Sequence, residues 1–370
     1  GSLSIATAIA IDSAQSFSFG ARWFPLAQAH GHLQSVGFVG LFVIGVSFRL
    51  VPRFAGRPAP SSLIVAATLL LVALGVIARA IGQPLSDKAD FDWLMATGGW
   101  LELGGALLFA GVILRTVAPA LRTQGWAFFF ALGSIGFLVQ AVLGAWWLED
   151  AVRHDRTLIS GSRDQLLLSL QFFAMHLPFV LGVGLRAWPT FFSRGAAPFP
   201  ATLLVALALL VANLGLVVAH CIGSASGSRA WELEGASIVL LSAGLIGGVL
   251  LTGVWGSPLR LRPATRSLGR LLQLAMFWLA LAAGLYGFFA IRALLDVRAI
   301  TPTEFDTVRH LIGIGVLMLL IVTMAHIVLP EFATERLSGG SRTRRVWAFG
   351  LLISTAALTR ASPGFVDSGP

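Results

Sequence analysis

HLQSVGFVGLFVIGVSFRLVPRF, residues 32–54, is the stretch whose reading decides the fold. It belongs to an apolar run over 24–49, and a helical membrane crossing needs about 20 such residues. Two later stretches have the same character: LQFFAMHLPFVLGVGLRAWPTFF at 170–192 and HLIGIGVLMLLIVTMAHIVLPEF at 310–332. Each closes on a proline, Pro52, Pro189 and Pro330, at intervals of 137 and 141 residues. His32 and His310 both stand 20 residues before their proline, and each is followed five residues on by a glycine, Gly37 and Gly315. Such spacing predicts an internal repeat.

Outward from these three copies lie further apolar runs. They occupy 61–82, 93–118 and 124–148, then 199–220, 232–255 and 268–293, and finally the short 345–360. The second copy sits in a run over 165–190 and the third in 304–329. Residues 2–11, SLSIATAIAI, read as the end of an eleventh segment. The Gly-Ser start, with no methionine and no signal-peptide basic region, predicts a clipped or processed end. The expected fold is all-α: a polytopic transmembrane helical bundle of about ten to twelve spans, arranged pseudo-threefold as four-helix units. The whole of 1–370 then forms one transmembrane domain, with repeats at 1–150, 151–300 and an incomplete 301–370.

Composition agrees. Hydrophobic residues make up 56% of the chain and charged residues only 12%, about half of what a soluble domain carries. The 41 glycines suit close helix packing in lipid. The net charge is +9, and Lys88 is the single lysine. The arginines form no tract of the kind that binds nucleic acid. They fall instead in alternate loops: Arg49, Arg53 and Arg57; Arg115 and Arg122; Arg186 and Arg194; Arg260, Arg262, Arg266 and Arg270; Arg336, Arg342, Arg344 and Arg345. The intervening loops are mixed or acidic, with Asp87, Asp90, Asp92, Glu149, Asp150, Asp155, Glu232, Glu234, Asp296 and Asp306 among their charges. The positive-inside rule puts the arginine loops in the cytoplasm, so the first run starts outside.

One cysteine, Cys221, excludes an internal disulfide and a thiolate cage. Any metal must then be held by His, Met, Asp or Glu. An ionisable residue inside a span is a functional candidate by default, and His is the commonest metal ligand. His30 and His32 lie near the outer end of the first run, about 200° apart on a helix. His310 opens the ninth run at the depth of His32, and two histidines at one depth on separate helices suit axial ligation of a flat cofactor. His176 lies in mid-helix, before Pro178. Satisfied core or interfacial histidines are the plain alternative for each. His326 falls about 24 Å along the axis from His310 and is read as interfacial; His220 and His154 are read as structural. Glu102, in GGWLELGG, is a candidate proton carrier, or the partner of a histidine or arginine. Gln140, Gln171, Gln273 and Asn213 are read as interhelical hydrogen-bonders. The tryptophans, such as Trp146 and Trp147, are read as an interfacial belt. Arg22, Arg153, Arg156, Arg163, Arg298 and Arg309 are candidate partners for haem propionates, or simply solvated. No Cys-x-x-Cys-His motif is present for covalent haem.

The stretch HGHLQSVGFVGLFVIGVSFRLVPRFAGRP, residues 30–58, resembles the NnrS family of membrane proteins. It has that family's His-x-His pair, a Gly-Phe about a turn on, and a proline-ended helix running into Gly-Arg-Pro. LRAWPTFFSR (185–194) and RHLIGIGVLMLLIVTMAHIVLPEF (309–332) resemble its later segments. The resemblance implies a haem- and copper-containing protein of about twelve spans in a bacterial inner membrane, linked to nitric oxide metabolism. The arrangement is also similar to the catalytic subunit of haem–copper oxidases and nitric oxide reductases. If residues 2–11 end a first helix, His30/His32, His176 and His310 fall on helices two, six and ten, where those enzymes carry ligands. The chain departs from them in the run 232–255, which lacks their adjacent histidine pair, and at Val180, where they carry tyrosine.

The resulting expectation is a haem-binding protein with non-covalent b-type haem, His32 and His310 as axial ligands, and His30 and His176 as further haem or metal ligands. Copper is a second expected group. Nitric oxide or another diatomic ligand and a redox protein are the expected partners, besides lipid. The rival is a secondary transporter, or a cofactor-free structural subunit of a respiratory complex.

Overall fold

The computed structural model describes residues 23–88, 91–226, 230–257, 266–333 and 342–362. Residues 2–11, Arg22, Asp90, Arg260, Arg262 and Arg336, named above, lie outside them. Among the described residues every regular element is helical. Nine of the described helices are long and apolar enough to cross a membrane, so the chain is a multi-pass helical membrane protein. They are α1 (Trp23–Ala55), α2 (Ser62–Leu85), α3 (Asp92–Val117), α4 (Trp126–Arg153), α5 (Gly161–Phe191), α6 (Phe199–Ser226), α7 (Ala230–Leu251), α8 (Arg266–Leu295) and α9 (residues 302–333). The tenth run forms α10 (Arg342–Ala361), whose apolar part, Val346–Ala361, is shorter.

Three of these helices widen into π-helical turns: Leu33–Gly40 in α1, Leu170–His176 in α5 and Leu311–Met318 in α9. Each begins 19 residues ahead of Pro52, Pro189 or Pro330. Two of the helices also end alike. Past Pro52 the chain turns at Gly56, with φ 62°, and the Arg57 amide donates to the Pro52 carbonyl at 2.8 Å. Past Pro189 it turns at Ser193, with φ 55°, and Arg194 donates to Pro189 at 2.8 Å. This left-handed residue captures a carbonyl that the helix end would leave unpaired. The three proline-bearing helices thus share a π turn at the same distance from the proline.

Helix starts are set by side chains. The Ser61 hydroxyl accepts from the Ile64 amide in front of α2. Thr301 and Glu304 form a reciprocal capping box in front of α9. Glu304, almost fully buried, also takes two bonds from Arg298, at 2.8 and 2.9 Å. That contact holds the Arg298 guanidinium above its ordinary pKa.

The chain forms two compact units. The first holds residues up to 122 and 130–179, the second 123–129 and 180 onward. In the first unit Phe109 packs its ring against Phe48 at 5.3 Å, Phe179 at 5.5 Å and Phe137 at 5.9 Å. In the second unit α8 packs against α7 and α9, and the Trp278 indole donates to Ser354 of α10 at 3.2 Å. The Gln273 amide donates to the carbonyls of Val254 and Gly256, both at 3.0 Å, which ties α8 to the end of α7.

Candidate functional site

The polar site of the first unit is built on a glycine seam. α2 presents Gly75 and Gly82, and α3 presents Gly98 and Gly105, each pair seven residues apart. A Cβ on Gly75 would lie 2.7 Å from the Gly98 carbonyl, and one on Gly98 would lie 2.7 Å from the Gly75 carbonyl. The two backbones therefore touch, as small residues permit in lipid. The same contact places Glu102 over α2: its Cγ would be 2.7 Å from a Gly75 Cβ. On α2, Arg79 and Gln83 follow Gly75 and Gly82 onto the buried side.

Glu102 meets His32. Its two carboxylate oxygens lie 2.8 and 2.9 Å from His32 Nε2, with 4% of each residue exposed. On the other side of the ring, Gln171 Nε2 lies 3.2 Å from Nδ1 and also donates to Gln140 Oε1 at 3.2 Å. The Ser35 hydroxyl donates to Gln171 Oε1. An amide nitrogen facing Nδ1 makes that atom the acceptor, so the proton sits on Nε2 and is donated to Glu102. The charge partner is Arg79, which is 2% exposed and attracts Glu102 through a low-dielectric interior. A second chain of bonds leads from Arg79 to the loop before α5. Arg79 Nε donates to Gln83 Oε1 at 3.1 Å, Gln83 Nε2 to Gln28 Oε1 at 2.6 Å, and Gln28 Nε2 to the Ile159 carbonyl at 2.7 Å. Five helices of one unit thus converge on a buried histidine–carboxylate pair.

The expected ligands fare differently. His32 carries hydrogen bonds at both ring nitrogens, so ligation there would exchange one of them. His30 is half-buried, two residues away on the same helix. His176 is fully buried, and neither of its nitrogens makes a well-formed hydrogen bond. The Ser35 main-chain carbonyl offers that ring a weak hydrogen bond, outside strict geometry. In the second unit, His310 is held by the Asp306 carbonyl at 2.8 Å and Asp306 Oδ1 at 3.3 Å, both at Nδ1. Among the described residues its Nε2 has no hydrogen bond, which leaves that nitrogen's lone pair unengaged. Its side chain is 27% exposed. His154 and His326 make the same bond to the carbonyl four residues back, but both are exposed. Among the described residues no three His, Cys, Asp or Glu side chains gather as a metal cage. Two imidazoles keep a nitrogen out of well-formed hydrogen bonds among the described residues: His176, and His310 at Nε2.

The candidate propionate partners already have partners of their own. Arg163 bonds Asp150 at 2.8 Å and stands over the Trp147 ring. Arg153 bonds Glu149, Arg298 bonds Glu304, and Arg309 donates to the Phe305 carbonyl. Trp147 is buried, whereas Trp146 is 61% exposed, as a membrane-facing ring would be. Gln140 and Gln171 bond each other across α4 and α5, while Asn213 donates to Leu209 of its own helix.

Sequence reasoning missed Arg79, Gln83, Gln28 and Ser35. The signal for the first two was present. Arg79 and Gln83 are four apart, on the face set by Gly75 and Gly82, inside a run otherwise apolar. In comparison with known proteins, the chain matches no family model and no curated protein sequence.

Proposed function

We propose that this chain is a haem-binding inner-membrane protein of the NnrS type, built from three repeated four-helix units and acting in nitric oxide metabolism or membrane electron transfer. The observation that supports it most is His176. Its ring is fully buried and neither nitrogen is bonded in good geometry, the Ser35 carbonyl being its one weak partner, so a lone pair is left over for an iron or copper ion to take. His310 would hold the group through Nε2, its ring fixed by the Asp306 carbonyl in the manner of ligand histidines. His176 would hold a second haem or a copper ion; Met175, beside it in sequence, is of a type that favours Cu(I). His32 would join this set by exchanging its bond to Glu102 or to Gln171, and His30, two residues away, is a further candidate ligand. A haem supplies one-electron chemistry and an iron that takes nitric oxide. Electrons would come from a redox partner protein. Glu102 would hold protons in the first unit.

The test is the absorption spectrum and metal content of the purified protein. The reading expects a Soret band that His310→Ala or His176→Leu weakens and His326→Ala leaves intact. A colourless, correctly folded wild type, or equal spectra for all three variants, refutes it. Colourless protein would favour a proton-coupled carrier without a cofactor, a reading that the buried Arg79, Glu102 and His32 support.

A further inference from the structure

The turn after α5 lays one arginine along a bed of glycines. Arg194 follows Ser193, and its side chain crosses the turn that ends α7. A Cβ on Gly253 would come 3.1 Å from Arg194 Cβ, and one on Gly256 would come 3.0 Å from both Cγ and Nε. The bed itself is fixed: Gly253 takes φ 68°, and Gln273 of α8 holds the Val254 and Gly256 carbonyls. The Arg194 stem is thus ordered in advance, which leaves less entropy to lose when its guanidinium binds something. Yet Arg194 is exposed, and among the described residues it enters no ion pair. Two more exposed arginines stand by the same turn. Arg270 and Arg266 lie about one and two turns from Gln273 along α8, within about 60° of it around the helix axis. The stretches 186–199 and 251–270 hold several arginines and no Asp or Glu. At the opposite end of α8 the arginines are paired within the chain. Arg292 and Arg298 reach Asp296 at 3.4 and 3.6 Å, and Arg298 reaches Glu304 at 2.8 Å. The Arg194 end has no such carboxylates nearby in sequence and takes its countercharge from outside the chain.

We propose that Arg194, with Arg270 and Arg266, forms a docking site for the phosphate of an anionic membrane lipid. The planar guanidinium fork of Arg194 matches two phosphate oxygens, and the two arginines of α8 add attraction for the lipid's net negative charge. Two observations favour a lipid over a soluble acidic protein. The arginines stand where membrane-crossing helices end, at the level of the headgroups. Beside Gly256, Trp255 is 44% exposed, as an indole at a membrane interface is. The end of α1 supplies a contrast. Arg57 is likewise exposed, follows a left-handed residue and donates its amide to a proline carbonyl. Among the described residues, however, no glycine carries the Arg57 stem as Gly253 and Gly256 carry that of Arg194. Arg57 has the charge without the bed.

The experiment is native mass spectrometry of the purified protein in mild detergent, titrated with phosphatidylglycerol or with phosphatidylcholine. The result expected is a retained phosphatidylglycerol that phosphatidylcholine does not replace at equal concentration. Arg194→Gln lowers the affinity for it about tenfold, the worth of one charge-assisted hydrogen bond. Arg270→Gln lowers it by less, and Arg57→Gln leaves it at the wild-type value. Equal losses in Arg194→Gln and Arg57→Gln would mean attraction by charge alone and overturn the site. Equal retention of the two lipids overturns it as well. Release of the lipid by millimolar inorganic phosphate would make this a soluble oxyanion site, and capture of poly-glutamate in place of the lipid would make it an acidic-protein site; either result overturns the proposal. Should Arg194→Gln fail to insert, Arg194→Lys replaces it, keeping the charge and losing the fork: a lowered affinity supports the site and an unchanged one overturns it. No histidine takes part, so the presence or absence of haem leaves this inference untouched.

Discussion

Replacing His176 with leucine should make the cofactor-free protein more stable. The imidazole is fully buried with neither nitrogen in a well-formed hydrogen bond. One of those nitrogens must carry a proton, and leaving that donor unsatisfied costs about 1–3 kcal/mol. Leucine is similar in size, so its packing change should stay below about 1.5 kcal/mol. Apolar burial adds little, because the unfolded reference in lipid is itself apolar. The net expectation is a gain of up to about 2 kcal/mol, read by reversible unfolding in mixed detergent–SDS micelles. The same variant should lose haem or copper if that residue holds either. A loss of more than about 1 kcal/mol in cofactor-free protein would refute the reasoning, because it would mean that the imidazole has a strong polar partner.

Four further outcomes follow from the geometry. Gly98→Val drives a side chain into the Gly75 carbonyl and should destabilise by about 1–3 kcal/mol in the same micelle assay; Gly45→Ala, with nothing within 4 Å of the added carbon, should be nearly neutral. Glu102→Ala removes the partner of His32 and the stronger of the two carboxylates acting on Arg79, a loss of about 3–5 kcal/mol; an unfolding midpoint equal to wild type would contradict the pairing. Thr301→Ala breaks the capping box of α9 at about 0.5–2 kcal/mol, visible as a lowered thermal midpoint. Asp306→Asn keeps the main-chain bond to His310 Nδ1, so the haem band expected of wild type should persist; its disappearance would show that the carboxylate, not the carbonyl, fixes the ring.

The membrane fold was legible because its cause is crude and additive. Runs such as 61–82 and 199–220 contain almost nothing that could face water, and each became one helix. The matching helix ends at Pro52 and Pro189 were legible, since a proline that ends a helix leaves the same capping problem each time. The π turns were not legible. They depend on an i to i+5 pairing that no residue type announces. Of the site, Glu102 and Gln171 were visible as polar residues among apolar ones. Their partner Arg79 was lost in LLLVALGVIARAIGQPL, because its role comes from helix contact at Gly75 and Gly98 and not from local pattern. Pairing His32 with Glu102, 70 positions away, needs that contact too.

The widened turns change what a deletion would do. A π turn holds extra residue length inside a helix, so the segments before and after it are out of phase with a continuous α-helix. Cutting one residue from 33–40 would let the wide turn relax into ordinary helix, with residues 23–32 and 41–52 still facing the same sides. The same cut in a plain α-helix such as α2 would turn one end by about 100° relative to the other. Each of the three helices therefore holds room for a one-residue loss that its packing would not feel.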